Sequence, residues 1–166
     1  MKILFLCTAN SCRSILAEAL FNHLAPAGMR AFSAGSEPRG DINPLTLEAL
    51  ARAGISADGL YSKSSDAHQA LNPDFVITLC DKAAGEVCPV HFGPAIKAHW
   101  GLADPSESVG SPEEIKAALD ATLVRLKLRF TAFHRVSRAT ARSAGCRYAE
   151  NRAGAHRHTL NLAGHA

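Results

Sequence analysis

Two residues, Cys7 and Arg13, have side chains whose types and spacing could carry out chemistry together. Cys7 closes the apolar stretch Ile3-Leu4-Phe5-Leu6. The residues Thr8-Ala9-Asn10-Ser11-Cys12 follow, and then Arg13-Ser14 opens a segment with helical spacing. A short loop between a strand end and a helix start turns successive backbone N–H groups inward and forms an anion nest. The helix adds the positive end of its dipole to the same place. Arg13 offers a planar fork to two oxygens of a tetrahedral oxyanion. A thiol at the focus of that field is favoured as the thiolate. The expected product is a nucleophile at the bottom of an oxyanion cradle formed by residues 8–14, with Ser14 donating a hydrogen bond to the thiolate and Asn10 bracing the loop. A buried structural thiol beside a surface arginine is the plainer alternative. The strand before the loop and the helix after it favour the cradle.

Those residues need elements to position them. The pattern predicts strands at 2–7, 29–34, 74–79 and 95–100, and helices at 13–25, 44–53 and 112–130. Pro26 and Gly28 stop the first helix, and Gly54 ends the second. Ser111, Pro112, Glu113 and Glu114 start the third. Strands alternating with helices indicate an α/β domain with a parallel sheet. With 166 residues, 47% of them apolar and 20% charged, the chain has an ordinary globular composition.

The net charge of +3 is unevenly placed. Residues 1–130 carry 12 Lys and Arg against 14 Asp and Glu, whereas residues 131–166 carry 6 Arg against Glu150 alone. A slightly acidic body speaks against a nucleic-acid partner. No apolar run approaches the ~18 residues of a membrane span, and the apolar start is too short for a signal peptide. An odd number of cysteines, five, speaks against a disulfide framework and for thiols used in a reducing, cytoplasmic setting. Residues 131–166 show no amphipathic period and read as a basic C-terminal extension, flexible or poorly packed.

The loop Cys7–Ser14, taken with Val76-Ile77-Thr78-Leu79-Cys80-Asp81, Cys88-Pro89, His99-Trp100-Gly101 and Asp104-Pro105, resembles the arsenate reductases built on the low-molecular-weight protein tyrosine phosphatase fold. The resemblance covers residues 1 to about 130. It implies a three-layer α/β/α domain around a four-stranded parallel sheet, and the reduction of arsenate to arsenite. By this resemblance, the Cys7 thiolate attacks arsenate while Asp104 protonates the departing oxygen. Cys80 then attacks Cys7, and Cys88 carries the disulfide outward. Phosphate and sulfate are the expected competing oxyanions. Thioredoxin, or glutathione with glutaredoxin, is the implied reductant.

A phosphotyrosine phosphatase acting through a Cys7 phosphocysteine is the alternative within the same family. Ser106 after Asp104-Pro105 departs from that branch, where an aromatic residue usually helps to bind the substrate ring. Two further alternatives are a non-catalytic oxyanion-binding module and a metal-binding module. The metal ligands would be Cys80, Cys88, His91 and His99, whose spacing is loose for zinc. Some reductases of this type hold a potassium ion, and the matching positions here are Asn10, Glu18, Ser33 and Asp66. Taken alone, Glu18 reads as a solvated helix acid. Cys146 has no counterpart in the family pattern.

Overall fold

The computed structural model describes residues 1–80 and 92–158, with backbone alone over 138–158. Among the described residues, six regular elements precede one long helix. They are β1 (Lys2–Cys7), α1 (Arg13–Leu24), β2 (Arg30–Gly35), α2 (Pro44–Arg52), β3 (Phe75–Thr78) and β4 (Ile96–His99), and the helix is α3 (Pro112–His158). Short 3₁₀ turns occupy Ser65–His68 and Pro105–Glu107. The architecture is three-layer α/β/α around four parallel strands in the order β2-β1-β3-β4.

β1 is central and its residues 3–7 are all buried. A strand buried on both faces has no use for polar alternation, which is why it reads as a continuous apolar run. Leu4 and Leu6 face a cluster with Ala34, Val76 and Phe92. Phe5 points to the opposite face, with ring centroids 6.1 Å from Phe21 of α1 and 6.2 Å from Trp100.

The helix ends follow local chemistry. Asn43 accepts from the Leu45 N–H at 2.9 Å ahead of Pro44, and Gly54 takes φ +69° just past the end of α2. At α3, Glu114 N donates to Ser111 Oγ and Ser111 N donates to Glu114 Oε2, a reciprocal capping box. Leu119, Leu123 and Leu126 bury one stripe of this helix at three- and four-residue spacing.

α3 corrects one expectation. The helix predicted for 112–130 continues to His158, through most of the stretch read as a flexible extension. Arg and Ala, both good helix formers, are the commonest residues of that stretch, and they favour a helix even without an apolar stripe. Met1–Lys127 forms one compact unit, and a second begins at Leu128. Among the described residues, no helix is long and apolar enough to cross a membrane.

The strand order reverses between β1 and β3, because β2 lies on one side of β1 and β3 on the other. Parallel α/β sheets place ligand crevices at the carboxyl ends of the strands flanking such a reversal. Cys7 is the last residue of β1, and Cys80 lies two residues beyond β3.

Candidate active site

The loop from Cys7 to Arg13 is held by its carbonyls. Ser36 N donates to Cys7 O, Glu37 N to Thr8 O at 2.9 Å, Arg39 N to Ala9 O at 3.0 Å and Asn43 N to Ser11 O at 3.0 Å. The loop's carbonyls are thus turned out toward residues 36–43. Asn10 N donates to Cys7 Sγ at 3.2 Å. Asn10 has φ +44°, a left-handed conformation that Asn tolerates better than most residues.

The Asn10 side chain fastens that conformation. Its Oδ1 accepts from the Lys63 N–H at 2.8 Å, and its Nδ2 donates to Ser14 Oγ at 2.8 Å and to Ser33 Oγ at 2.9 Å. A backbone N–H can only donate, so the amide orientation is determined. Ser14 Oγ lies 2.9 Å from Cys7 Sγ and already accepts from Asn10, which leaves its proton for the sulfur. Cys7 is thus served by two donors, and both atoms are buried.

Cys80 packs against Cys7 in the interior, and Thr8 Oγ1 lies 3.4 Å from Cys80 Sγ. The second thiol of the loop, Cys12, is different. Burial pushes it up to about 12, only partly countered by a hydrogen bond with Thr46, so it stays a neutral thiol. Cys88 and His91 lie outside the described residues.

Asp104 reaches the cradle from the loop after β4. That loop is aligned by Trp100 N on Thr78 O and Leu102 N on Leu79 O, and His99 Nδ1 sits 2.9 Å from Thr78 Oγ1. Arg13 donates to Leu102 O at 3.0 Å and to Asp104 Oδ2 at 2.5 Å. The other carboxylate oxygen of Asp104 accepts from Ser106 N and Ser106 Oγ. Cys7, Thr8, Ala9, Ser11, Cys12, Arg13, Cys80 and Asp104 therefore line one cleft of about 600 Å³, with Glu37 and Arg39 also on its wall. Ser14 and Asn10 stand behind it.

A family model described as low molecular weight phosphotyrosine protein phosphatase matches residues 2–140. The arsenate reductase of Shouchella clausii is 38% identical over 112 residues, covering 68% of this chain and 79% of that protein. The arsenate reductase of Staphylococcus aureus is 36% identical over 132 residues, covering 76% and 96%. The chain belongs to the arsenate reductases of the low-molecular-weight phosphatase family. Among solved structures, the thioredoxin-dependent arsenate reductase of Corynebacterium glutamicum superposes with a TM-score of 0.56 at 31% identity. The match covers 79% of this chain and 62% of that one.

The potassium ion expected of some arsenate reductases does not fit the residues present. Asn10, Glu18 and Ser33 do come together. However, Asn10 presents its N–H₂ to Ser33, and Ser33 Oγ donates to Glu18 Oε2 at 2.5 Å. The Glu18 carboxylate is paired with Lys63 Nζ at 3.5 Å, both side chains being nearly buried. Asp66 accepts instead from Gln69 Nε2. Asn10 Oδ1, Ser33 Oγ and Glu18 Oε2 are already engaged, and an ammonium supplies the positive charge. Glu18 is accordingly not a solvated helix acid. Among the described residues, no group of three His, Cys, Asp or Glu side chains is arranged to hold a metal.

Two contributors to the arsenate reductase site escaped the sequence reading. Gly35 ends β2 directly behind the cradle, where an added Cβ would lie 2.4 Å from Thr8 O. Its place at a strand end was visible, but the close approach was not. Lys63 lies in an irregular segment and carries no motif that marks it.

Proposed function

We propose that this chain reduces arsenate to arsenite by a thiol relay, and so confers arsenate resistance. The observation that carries the reading is the second buried thiol, Cys80, packed against the nucleophile Cys7 at the strand-order reversal. Phosphate-ester hydrolysis needs one thiol. Moving two electrons onto arsenic needs two, because a lone thiol cannot form the disulfide that stores the oxidising equivalents.

Arsenate enters the 8–14 loop and competes with Asp104 for the Arg13 guanidinium. The Cys7 thiolate forms an S–As bond, and one arsenate oxygen leaves as water with a proton from Asp104. Cys80, as thiolate, attacks Cys7 Sγ. The S–As electron pair moves to arsenic, which leaves as arsenite in the +3 state, and a Cys7–Cys80 disulfide remains. Cys88 attacks Cys80, freeing Cys7 and leaving a Cys80–Cys88 disulfide for an external dithiol to reduce. Thioredoxin is the proposed donor, in line with the thioredoxin-dependent relative, and the reducing cytoplasm is the proposed setting. Ser106, where a phosphotyrosine enzyme would carry an aromatic residue, suits a small inorganic oxyanion.

The test is arsenate-dependent oxidation of reduced thioredoxin, run beside glutathione with glutaredoxin. Wild-type protein is expected to turn over repeatedly. Cys80→Ser is expected to stop multiple turnover while leaving hydrolysis of a small aryl phosphate. Sustained arsenate reduction by Cys80→Ser would refute the relay. Aryl phosphate hydrolysis without any arsenate reduction by the wild type would establish the phosphatase alternative.

A further inference from the structure

The buried pair behind the cradle has a place in the fold that the reaction scheme leaves unused. Lys63 Nζ is surrounded by Glu18 Oε2 at 3.5 Å, Tyr61 O at 3.0 Å and the Tyr61 ring with its centroid at 4.4 Å. An ammonium removed from water keeps its charge only when such partners replace its hydration. The nearby His68 does not compete for the carboxylate. Burial, with the Lys63 ammonium adding to it, pushes this imidazole below its usual range, and its Nε2 is engaged with Ser33 O at 3.0 Å.

From this pair an unbroken chain of hydrogen bonds leads to the reacting sulfur. Lys63 Nζ holds Glu18 Oε2, Ser33 Oγ donates to that same oxygen, Asn10 Nδ2 donates to Ser33 Oγ and to Ser14 Oγ, and Ser14 Oγ meets Cys7 Sγ. The carboxylate, whose charge requires donors around it, directs the Ser33 hydroxyl, and the Asn10 amide directs that of Ser14. Without a positive partner, Glu18 would be an unpaired buried anion. It would then take up a proton or a cation, or move toward water. Any of these changes releases Ser33 and with it the clamp on Asn10. The Lys63 backbone N–H grips Asn10 Oδ1 independently of the side chain, so replacing the side chain removes the ammonium alone.

We infer that Lys63 is a positioning residue: its ammonium is a built-in monovalent cation that orders the oxyanion cradle through Glu18, Ser33 and Asn10, making the reaction independent of potassium. The inference rests on the 8–14 loop being the oxyanion site. It predicts that deleting the ammonium opens a place that a potassium ion, of similar size and equal charge, can take beside Glu18.

The experiment measures inorganic phosphate affinity by calorimetry, and arsenate kcat/KM, in potassium chloride and in choline chloride at equal ionic strength. The wild type should be the same in both salts within about twofold. Lys63→Ser should lose about tenfold in phosphate affinity in choline chloride, the scale of one reorganised buried polar contact, and recover most of it in potassium chloride. Such rescue by one ion is an outcome that a merely structural lysine would not give. If Lys63→Ser does not fold, the uncharged pair Glu18→Gln with Lys63→Met is measured. It should bind phosphate several-fold more weakly than wild type, equally in both salts. The inference is overturned by a wild type activated more than about threefold by potassium. Variants that bind phosphate like the wild type in choline chloride, or a Lys63→Ser loss that potassium does not restore, also overturn it. A wild type that binds no phosphate in either salt overturns the oxyanion reading beneath it.

Discussion

Gly35→Ala tests whether the cradle is held by close packing behind it. The residue has an ordinary backbone conformation, so the constraint is steric. A Cβ there would sit 2.4 Å from Thr8 O and 2.9 Å from both the N and Cβ atoms of Asn10. Ordinary contact begins near 3.4 Å, so the loop must retreat by about 1 Å at Thr8. It has little room to do so. Thr8 O is bonded to Glu37 N, and Asn10 is tied to Lys63, Ser33 and Ser14 and is fully buried. A shift of that size displaces Asn10 N from its 3.2 Å bond to Cys7 Sγ and misaligns the N–H groups that receive the oxyanion. Misplacement by about 1 Å costs on the order of 100-fold in rate, and overpacking costs about 1–3 kcal/mol in stability. Steady-state arsenate reduction should therefore fall about 100-fold in kcat/KM, and phosphate affinity should fall in calorimetry. The control is Gly59→Ala. Its φ of +75° makes the substitution strained by about 1–2 kcal/mol, but no atom lies within 4 Å. It should lose stability and keep phosphate affinity. A folded Gly35→Ala protein with kcat/KM and phosphate affinity within about threefold of wild type would refute the reasoning.

Asp104→Asn should keep phosphate binding, since the change leaves Arg13 without a charge to pair with, and should slow arsenate reduction by about 10²–10⁴-fold, the usual worth of a positioned acid; rapid-mixing kinetics would show it. Cys88→Ser should complete one turnover and stop with Cys7 and Cys80 joined, which peptide mapping under non-reducing conditions would detect. Cys12 contributes a specific alkaline weakness. Its folded-state value, raised from 9.0 to about 12, means the folded protein holds this proton longer than the unfolded chain. The associated stability is fully present below pH 9 and is lost as pH rises through 9 to about 12, amounting to up to about 4 kcal/mol. Denaturant unfolding of Cys12→Ala should show a shallower decline across that window than the wild type; parallel declines would argue against it.

The α/β architecture was legible because each signal was local. Residues 3–6 form a strand-length apolar run, helical spacing begins just after Arg13, and capping residues stand at 111–114. The extent of α3 was misread for a physical reason. Absence of an apolar stripe describes what a helix can pack against, whereas Ala and Arg propensity describes whether the backbone coils, and the two signals parted beyond residue 130.

The sequence by itself determined the chemistry of the cradle. A thiol, an anion-binding loop and an arginine within eight positions are bound to be neighbours in space, whatever the rest of the chain does. Only the tertiary structure decided what stands around them. The parallel pairing of β1 with β3 brings Cys80 to Cys7 across 73 positions, and the loop after β4 brings Asp104 to Arg13. Folding also brings Gly35 against Thr8 and the Lys63 ammonium to Glu18. The last of these places an ammonium beside the carboxylate that a cation would need. Whether a buried carboxylate is met by an ion or by a lysine depends on which side chain a distant, irregular segment delivers, and no local pattern encodes that.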